Sequence, residues 1–227
     1  MEIGIIGSGP IGRTLAGHLM ALGNHVSIAN SRGPASLAGV ATETGATAAT
    51  VEQASRARDV VIIAIPEKAV PQLPLGFLVA TSAVVVDTGN YYPSRDGRIS
   101  EIDGGLAESA WVARVLGRPV VKAFNNIVAP SLATRAVQAG SPGRICLAVA
   151  GDEIPAKEII LRLIDAIGFD AIDAGTLAES WRQQPGAPAY CRDLGTEGLK
   201  AALADANPAL IDTYRAQADE VARPYFA

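Results

Sequence analysis

Three glycines in the spacing G-x-G-x-x-G, Gly7, Gly9 and Gly12, stand directly after the apolar run EIGII and open the amphipathic stretch PIGRTLAGHLMALG. In that context the spacing reads as a phosphate cradle between a strand and a helix. Gly7 permits the tight turn, Gly9 lets a pyrophosphate approach the backbone, and Gly12 lets helix and strand pack closely. Pro10 suits a first helical position, where its missing N–H costs nothing. The free N–H groups and the positive end of the helix then face the phosphates of a dinucleotide.

The second chemistry-bearing stretch is HVSIANSRGP, about 20 residues further on, where an NAD-binding chain carries an acid for the adenosine ribose. Asn30, Ser31 and Arg32 stand there instead. A carboxylate would bind the ribose 2′-hydroxyl and repel a 2′-phosphate, effects on the order of 1 kcal/mol or more each. A serine hydroxyl donates to a phosphate oxygen, and a guanidinium binds it bidentately or stacks on the adenine. The triplet predicts NADP(H), against the alternative of a loop arginine in solvent. Asn30 is open to two readings, a ribose contact or the end of a strand.

Ligands of open α/β sheets lie beyond the carboxyl ends of the strands. Ile65 and Pro66, in AIPEKAV, either fix the path past a nicotinamide ribose or only begin a helix. In VVKAFNNI, Lys122 could hold a carboxylate, a phosphate or a reduced ring. Ala123 follows it, Phe124 offers a stacking face, and Asn125 can donate and accept at a ring amide. The alternative makes Phe124 a core residue and Asn125 a helix cap. The loop DTGNYYPSRDG, with Tyr91, Tyr92, Arg95 and Asp96, reads either as pocket lining or as rim, and Asp87 could serve the turn's backbone donors.

His18 falls inside the first helix and His25 at the far end of the second strand, so neither is expected at the reacting edge. No Ser/His/Asp set, metal-ligand spacing or Walker lysine is visible. Hydride transfer between NADPH and a flavin-like ring suits such a site, because the cofactors carry the chemistry and the protein orients them.

These residues need a scaffold, and the pattern supplies one. Apolar runs at 2–6, 25–30, 46–48, 59–65, 83–87, 119–122, 145–150 and 169–173 read as strands. Helical segments are expected at about 10–22, 34–44, 50–56, 67–72, 106–116, 130–139 and 153–167. This alternation predicts an α/β fold, Rossmann-type and doubly wound, with a mostly parallel sheet of about eight strands. VVIIAI and AVVVD are apolar on both faces, as strands covered on both sides must be. Residues 1–175 are expected to form the nucleotide-binding domain. Residues 176–227 are expected to form a small segment, with a loop through RQQPGAPAYCRDLG and helices at 196–206 and 208–221, that covers the cleft or contacts a second subunit.

The chain has 227 residues, 49% of them apolar, and a net charge of −4, with no basic stripe for nucleic acid. Cys146 and Cys191 lie far apart and suit a reducing cytoplasm. Nothing resembles a signal peptide or a membrane span. A cytoplasmic protein acting on a small molecule, with no metal, nucleic-acid or membrane partner, is expected.

GSGPIGRTLAGHLMALGNHVSIANSR, VVIIAIP, VVKAFNNI and DAIDAGTLAES together resemble the NADP-dependent oxidoreductases related to coenzyme F-420 (deazaflavin):NADP oxidoreductase. They are similar also to the NADPH-binding domain of the six-transmembrane metalloreductases. The resemblance implies NADP(H) binding by Gly7, Ser8, Gly9, Pro10, Ile11, Gly12, Ser31 and Arg32. It places Ile65 and Pro66 along the nicotinamide half, and Lys122, Ala123, Phe124 and Asn125 beside the nicotinamide and the acceptor ring. It implies a homo-oligomer, often a dimer, with deazaflavin or a flavin as co-substrate. Two rival readings stand beside it: a redox sensor that binds NADPH without turnover, and a reductase of small carbonyls or imines with Lys122 as acid.

Overall fold

The computed structural model describes residues 1–226, so the last residue of the expected 176–227 segment lies outside the described residues. The first half runs β1 (Glu2–Ile6), α1 (Pro10–Ala21), β2 (His25–Ala29), α2 (Ala38–Thr44), β3 (Thr47–Ala49), α3 (Val51–Ala54), β4 (Val60–Ile63), α4 (Leu75–Ala80) and β5 (Val84–Asp87). It continues with α5 (Pro93–Asp96), α6 (Ser100–Asp103), α7 (Glu108–Leu116), β6 (Val121–Lys122), α8 (Ala129–Thr134), β7 (Cys146–Val149), α9 (Ile154–Ile167) and β8 (Asp170–Asp173). Two helices close the chain, α10 (Thr196–Ala204) and α11 (Ile211–Ala222), and 3₁₀ turns occupy Glu67–Gln72 and Leu177–Gln183.

Six strands form one parallel sheet in the order β3-β2-β1-β4-β5-β6. The strand order reverses between β1 and β4, and that switch point opens the crevice in which ligands of such sheets sit. Alternate residues of β4 explain the two-sided cover. Val60 and Ile62 pack with α1 and α9 residues such as Leu15 and Ile160, whereas Val61 and Ile63 pack with Leu78, Trp111 and Val112. A strand buried on both faces has no polar alternation to show, which is why VVII is uniformly apolar.

All eight expected strands exist, but they do not share one sheet. β7 and β8 pair with each other, and β7 meets the main sheet only where Lys122 and Ala150 form one antiparallel bridge. The cause is the brevity of β6. Lys122 N donates to Ala150 O at 2.8 Å, Ala123 N donates to Asp87 O at 3.2 Å, and the chain then turns at Phe124, whose φ is 62°. No ladder can extend past that turn.

Other differences have equally local causes. The helix expected at 130–139 stops at Thr134, and Val137 N instead donates to Gly168 O at 3.0 Å. The segment 67–72 is 3₁₀ rather than α, with Pro71 inside it. The short helices α4, α5 and α6 fall where no helix was expected, in stretches too short to show a periodicity.

Candidate functional site

The glycine turn is built as its spacing implies. Gly7 has φ 120° and its N–H donates to Ala29 O at 2.8 Å, and a Cβ on it would lie 2.1 Å from Ala64 O. A Cβ on Gly12 would lie 2.0 Å from Gly7 O, so helix α1 can sit this close to β1 only through glycine. A Cβ on Gly9 would meet nothing within 4 Å, which leaves open space above the first turn of α1. Pro10 occupies the start of that helix and is exposed.

A cleft of about 490 Å³ begins on this turn. Gly7, Ser8, Gly9, Asn30, Ser31, Arg32, Ile65 and Pro66 all line it, so eight of the sequence-expected binding residues meet in one place. Ser31 and Arg32 are exposed, and Arg32 forms no ion pair with any described residue. Asn30 is a hub. Its Nδ2 donates to Ser8 Oγ at 3.2 Å and to Ser36 Oγ at 3.0 Å, while its Oδ1 accepts from Arg32 N at 2.9 Å. An amide can donate and accept at once, which lets one side chain join the two serines and the Arg32 backbone. These donors and the open glycine surface fit a dinucleotide that carries a 2′-phosphate.

Val51, Glu52, Leu73 and Pro74 also line the cleft and escaped sequence reasoning. Glu52 is the one carboxylate among the lining residues, and bonds from backbone N–H and from Thr50 hold it below the usual carboxylate range. The Thr50–Gln53 capping box that fixes its helix was the available signal.

The remaining expected residues lie outside this cleft. Ile11, in the first turn of α1, is half-buried, and Gly12 and Ala123 are buried. Lys122 is wholly buried, and its ammonium donates to Asp87 Oδ2 at 3.2 Å and to Gly89 O. Burial alone would lower its pKa, but Asp87, Glu108 and Glu67 around it raise it, so it stays charged. Asp87 in turn accepts from Gly89 N at 2.9 Å and from Ser109 Oγ at 2.6 Å. It thus serves the turn's backbone and the lysine together.

Phe124 is 1% exposed and packs in the core. Its left-handed backbone is strained for a bulky residue. Asn125 does not cap α8, whose N-cap is Val128. Its Nδ2 donates to Gln183 O at 2.7 Å and to Asn90 Oδ1 at 3.1 Å, and its Oδ1 accepts from Gln183 Nε2 at 3.0 Å. The side chains of Lys122, Phe124 and Asn125 are therefore engaged within the protein.

Around them lies a buried charged cluster that no motif announced. Glu67 is 1% exposed and pairs with Arg95 at 3.0 Å. Burial first, then the charges of Asp87 and Glu108, push its carboxyl well above the ordinary range. Glu108 is pushed up to about 7 by burial, against the pull of Lys122, the Tyr91 N–H and Arg215. Arg95 also bonds Asp96 at 2.8 Å and reaches Asn90 O, which fixes the tyrosine loop to the sheet edge.

The C-terminal segment completes this region. Tyr190 and Tyr92 join through their hydroxyls, Cys191 N donates to Asn126 O at 3.1 Å, and Asp219 accepts from Ser94 N at 2.9 Å. Phe226 packs on the Tyr92 ring at 5.1 Å. Tertiary folding alone brings Gln183 and Tyr190 here, so no local pattern could have marked them. His18 bonds Leu132 O at 2.8 Å, and His25 begins β2. Both lie away from the ligand edge. Among the described residues there is no group of three or more His, Cys, Asp or Glu able to hold a metal, and no helix long and apolar enough to cross a membrane.

Comparison with known proteins bears on this geometry. Residues 2–91 match the family described as NADP oxidoreductase, coenzyme F420-dependent. The hypothetical protein SMa0349 of Sinorhizobium meliloti is 33% identical, with a TM-score of 0.73 over 86% of this chain and 96% of that one. A protein of Arthrobacter sp. FB24, provisionally assigned as an F420-dependent NADP reductase, shares the fold at 24% identity, with a TM-score of 0.67 over 79% of this chain and 87% of that one. Metalloreductase STEAP3 of Rattus norvegicus is 29% identical over 180 residues, which is 79% of this chain and 35% of the metalloreductase. The chain spans little more than a third of the length of the curated relatives it matches.

Proposed function

The chain belongs to the NADP-dependent oxidoreductase family related to the coenzyme F420-dependent NADP oxidoreductases, and on that premise we propose that it moves a hydride between NADP(H) and a flavin-like ring, deazaflavin or flavin, or another small acceptor. The observation that carries this reading is Arg32, exposed and unpaired beside Ser31 at the end of the cleft that starts on the glycine turn. NADPH, when bound, supplies the hydride and its electron pair.

The chain's own residues do the rest. The N–H groups at the start of α1 meet the pyrophosphate, with Gly9 giving the approach and Ser8 lying beside it. Ser31 and Arg32 hold the 2′-phosphate, and Asn30 sets their loop against the turn. Ile65 and Pro66 guide the nicotinamide half, and Pro10, Ile11 and Gly12 fix the helix under the phosphates. Lys122 and Asp87 clamp the strand ends through Gly89, while Ala123, Phe124 and Asn125 hold the acceptor end in shape. A proton-donating role for Lys122 is disfavoured, since its ammonium is wholly buried in that pair. This weighs against reduction of carbonyls or imines with Lys122 as acid.

The reading extends to two parts, 1–175 for the nucleotide and 176–227 for the acceptor end, in a cytoplasmic homodimer with both cysteines free. Stopped-flow oxidation of NADPH against deazaflavin, free flavins and a carbonyl and imine panel tests it. Rapid turnover with a flavin-like ring supports the proposal. Tight NADPH binding without turnover on any acceptor would favour the redox sensor instead.

A further inference from the structure

The C-terminal segment and the nucleotide-binding part meet around a small cavity of about 10 Å³. Glu108, at the start of α7, forms one wall. Trp181, Gln184, Pro185, Tyr214 and Arg215, all from the C-terminal segment, cover it. Three polar atoms of these residues have no hydrogen-bond partner: Glu108 Oε1, Gln184 Nε2 and Arg215 Nε. The three residues are 1%, 5% and 8% exposed. Buried polar groups are nearly always hydrogen-bonded, so three without partners around one cavity point to a ligand.

Glu108 and Arg215 are otherwise engaged. Glu108 Oε2 accepts from Tyr91 N at 3.2 Å, Arg215 Nη1 donates to Asp212 Oδ1 at 3.2 Å, and Nη2 reaches Ile102 O at 3.4 Å. The guanidinium is thus held from two sides while its Nε stays without a partner.

We propose that this cavity is a binding site for one water molecule, shared by Glu108, Gln184 and Arg215, which seats the C-terminal segment on the nucleotide-binding part. Size is consistent with this ligand, because about 10 Å³ is near the least space that holds one water. Chemistry selects it. The two lone pairs of a water accept from Gln184 Nε2–H and Arg215 Nε–H, and one O–H donates to Glu108 Oε1. Three bonds is what a buried water commonly makes. An anion would face the Glu108 carboxylate, and a cation would face the Arg215 guanidinium. The seat matters because the same segment carries Gln183, bonded to Asn125, and Tyr190, bonded to Tyr92.

A crystal structure of the full chain at atomic resolution tests the site directly. The expected result is one ordered water within hydrogen-bonding distance of all three atoms. Direct pairing of Arg215 Nε with Glu108 Oε1, or a dry cavity, overturns the proposal. The seating role is read from amide hydrogen exchange in Gln184→Met, which removes one donor at similar volume. Exchange in residues 185–195 is expected to rise about tenfold while that of the central strands stays unchanged. Unchanged exchange in 185–195 overturns the seating role, and should the variant fail to fold, the wild-type crystal still decides.

Discussion

The side-chain amide of Asn30 donates to the Ser8 hydroxyl at 3.2 Å and joins the end of the second strand to the glycine turn. The same side chain accepts from Arg32 N, so it ties the loop that carries the arginine to the glycine turn. Asn30→Ala is therefore expected to weaken NADPH by about 1 kcal/mol, and NADH by less, in a fluorescence titration. Unchanged binding of NADPH would show that Asn30 does not position the arginine.

Gly12 tests the close approach of α1 to β1. Gly12→Ala drives a Cβ to within 2.0 Å of Gly7 O, which must move. A loss of about 1–3 kcal/mol or more, and a lower Tm by several degrees, is expected. An unchanged Tm would show that the turn can open without cost.

Lys122 and Asp87 form a buried pair whose members depend on each other. Lys122→Met leaves Asp87 as an uncompensated buried charge and is expected to cost about 3–5 kcal/mol in denaturant unfolding. Adding Asp87→Asn should recover part of that loss, a coupling that independent residues would not show. If Lys122→Met keeps full stability and loses only turnover, the lysine acts on the substrate rather than on Asp87.

Glu108 gives the fold a dependence on pH. Its carboxyl titrates near 7 in the folded chain because it is buried, against 4.5 when exposed. The folded state therefore binds this proton more tightly than the unfolded state. Its contribution is full below about 4.5 and is lost as pH rises towards 7. Relative to Glu108→Gln, the wild type is expected to lose about 3 kcal/mol across that window. Parallel stability curves for the two proteins would contradict the assignment. Asp87, Glu67, Lys122 and Arg215 all face this carboxyl, so the curve must be read as a difference from the variant.

The nucleotide half of the site was legible because its signals are local. The glycines, the missing acid and the apolar β1 and β4 runs each act within a few residues, and the structure brings Gly7, Gly9, Ser31, Arg32, Ile65 and Pro66 to one cleft. The region proposed for the acceptor was not legible in the same way. K-x-F-N falls on the turn after β6, but the sequence offered no means of knowing that Asp87 engages Lys122 or that Gln183, 58 residues away, engages Asn125. Nothing in the sequence marks Glu67 or Glu108 as buried, since burial is a property of the assembled fold. The eight strands were legible one by one, yet the separation of β7 and β8 rests on a two-residue β6 and the backbone of Phe124.

The central claim, that Ser31 and Arg32 select NADP(H), is tested most directly by titrating the wild type and Arg32→Ala with NADPH and NADH. The wild type is expected to bind NADPH the more tightly. Arg32→Ala should weaken NADPH by about 1.5–3 kcal/mol, roughly ten- to a hundredfold, and leave NADH nearly unchanged. Equal or tighter NADH binding by the wild type, or an equal loss of both cofactors in the variant, would contradict it.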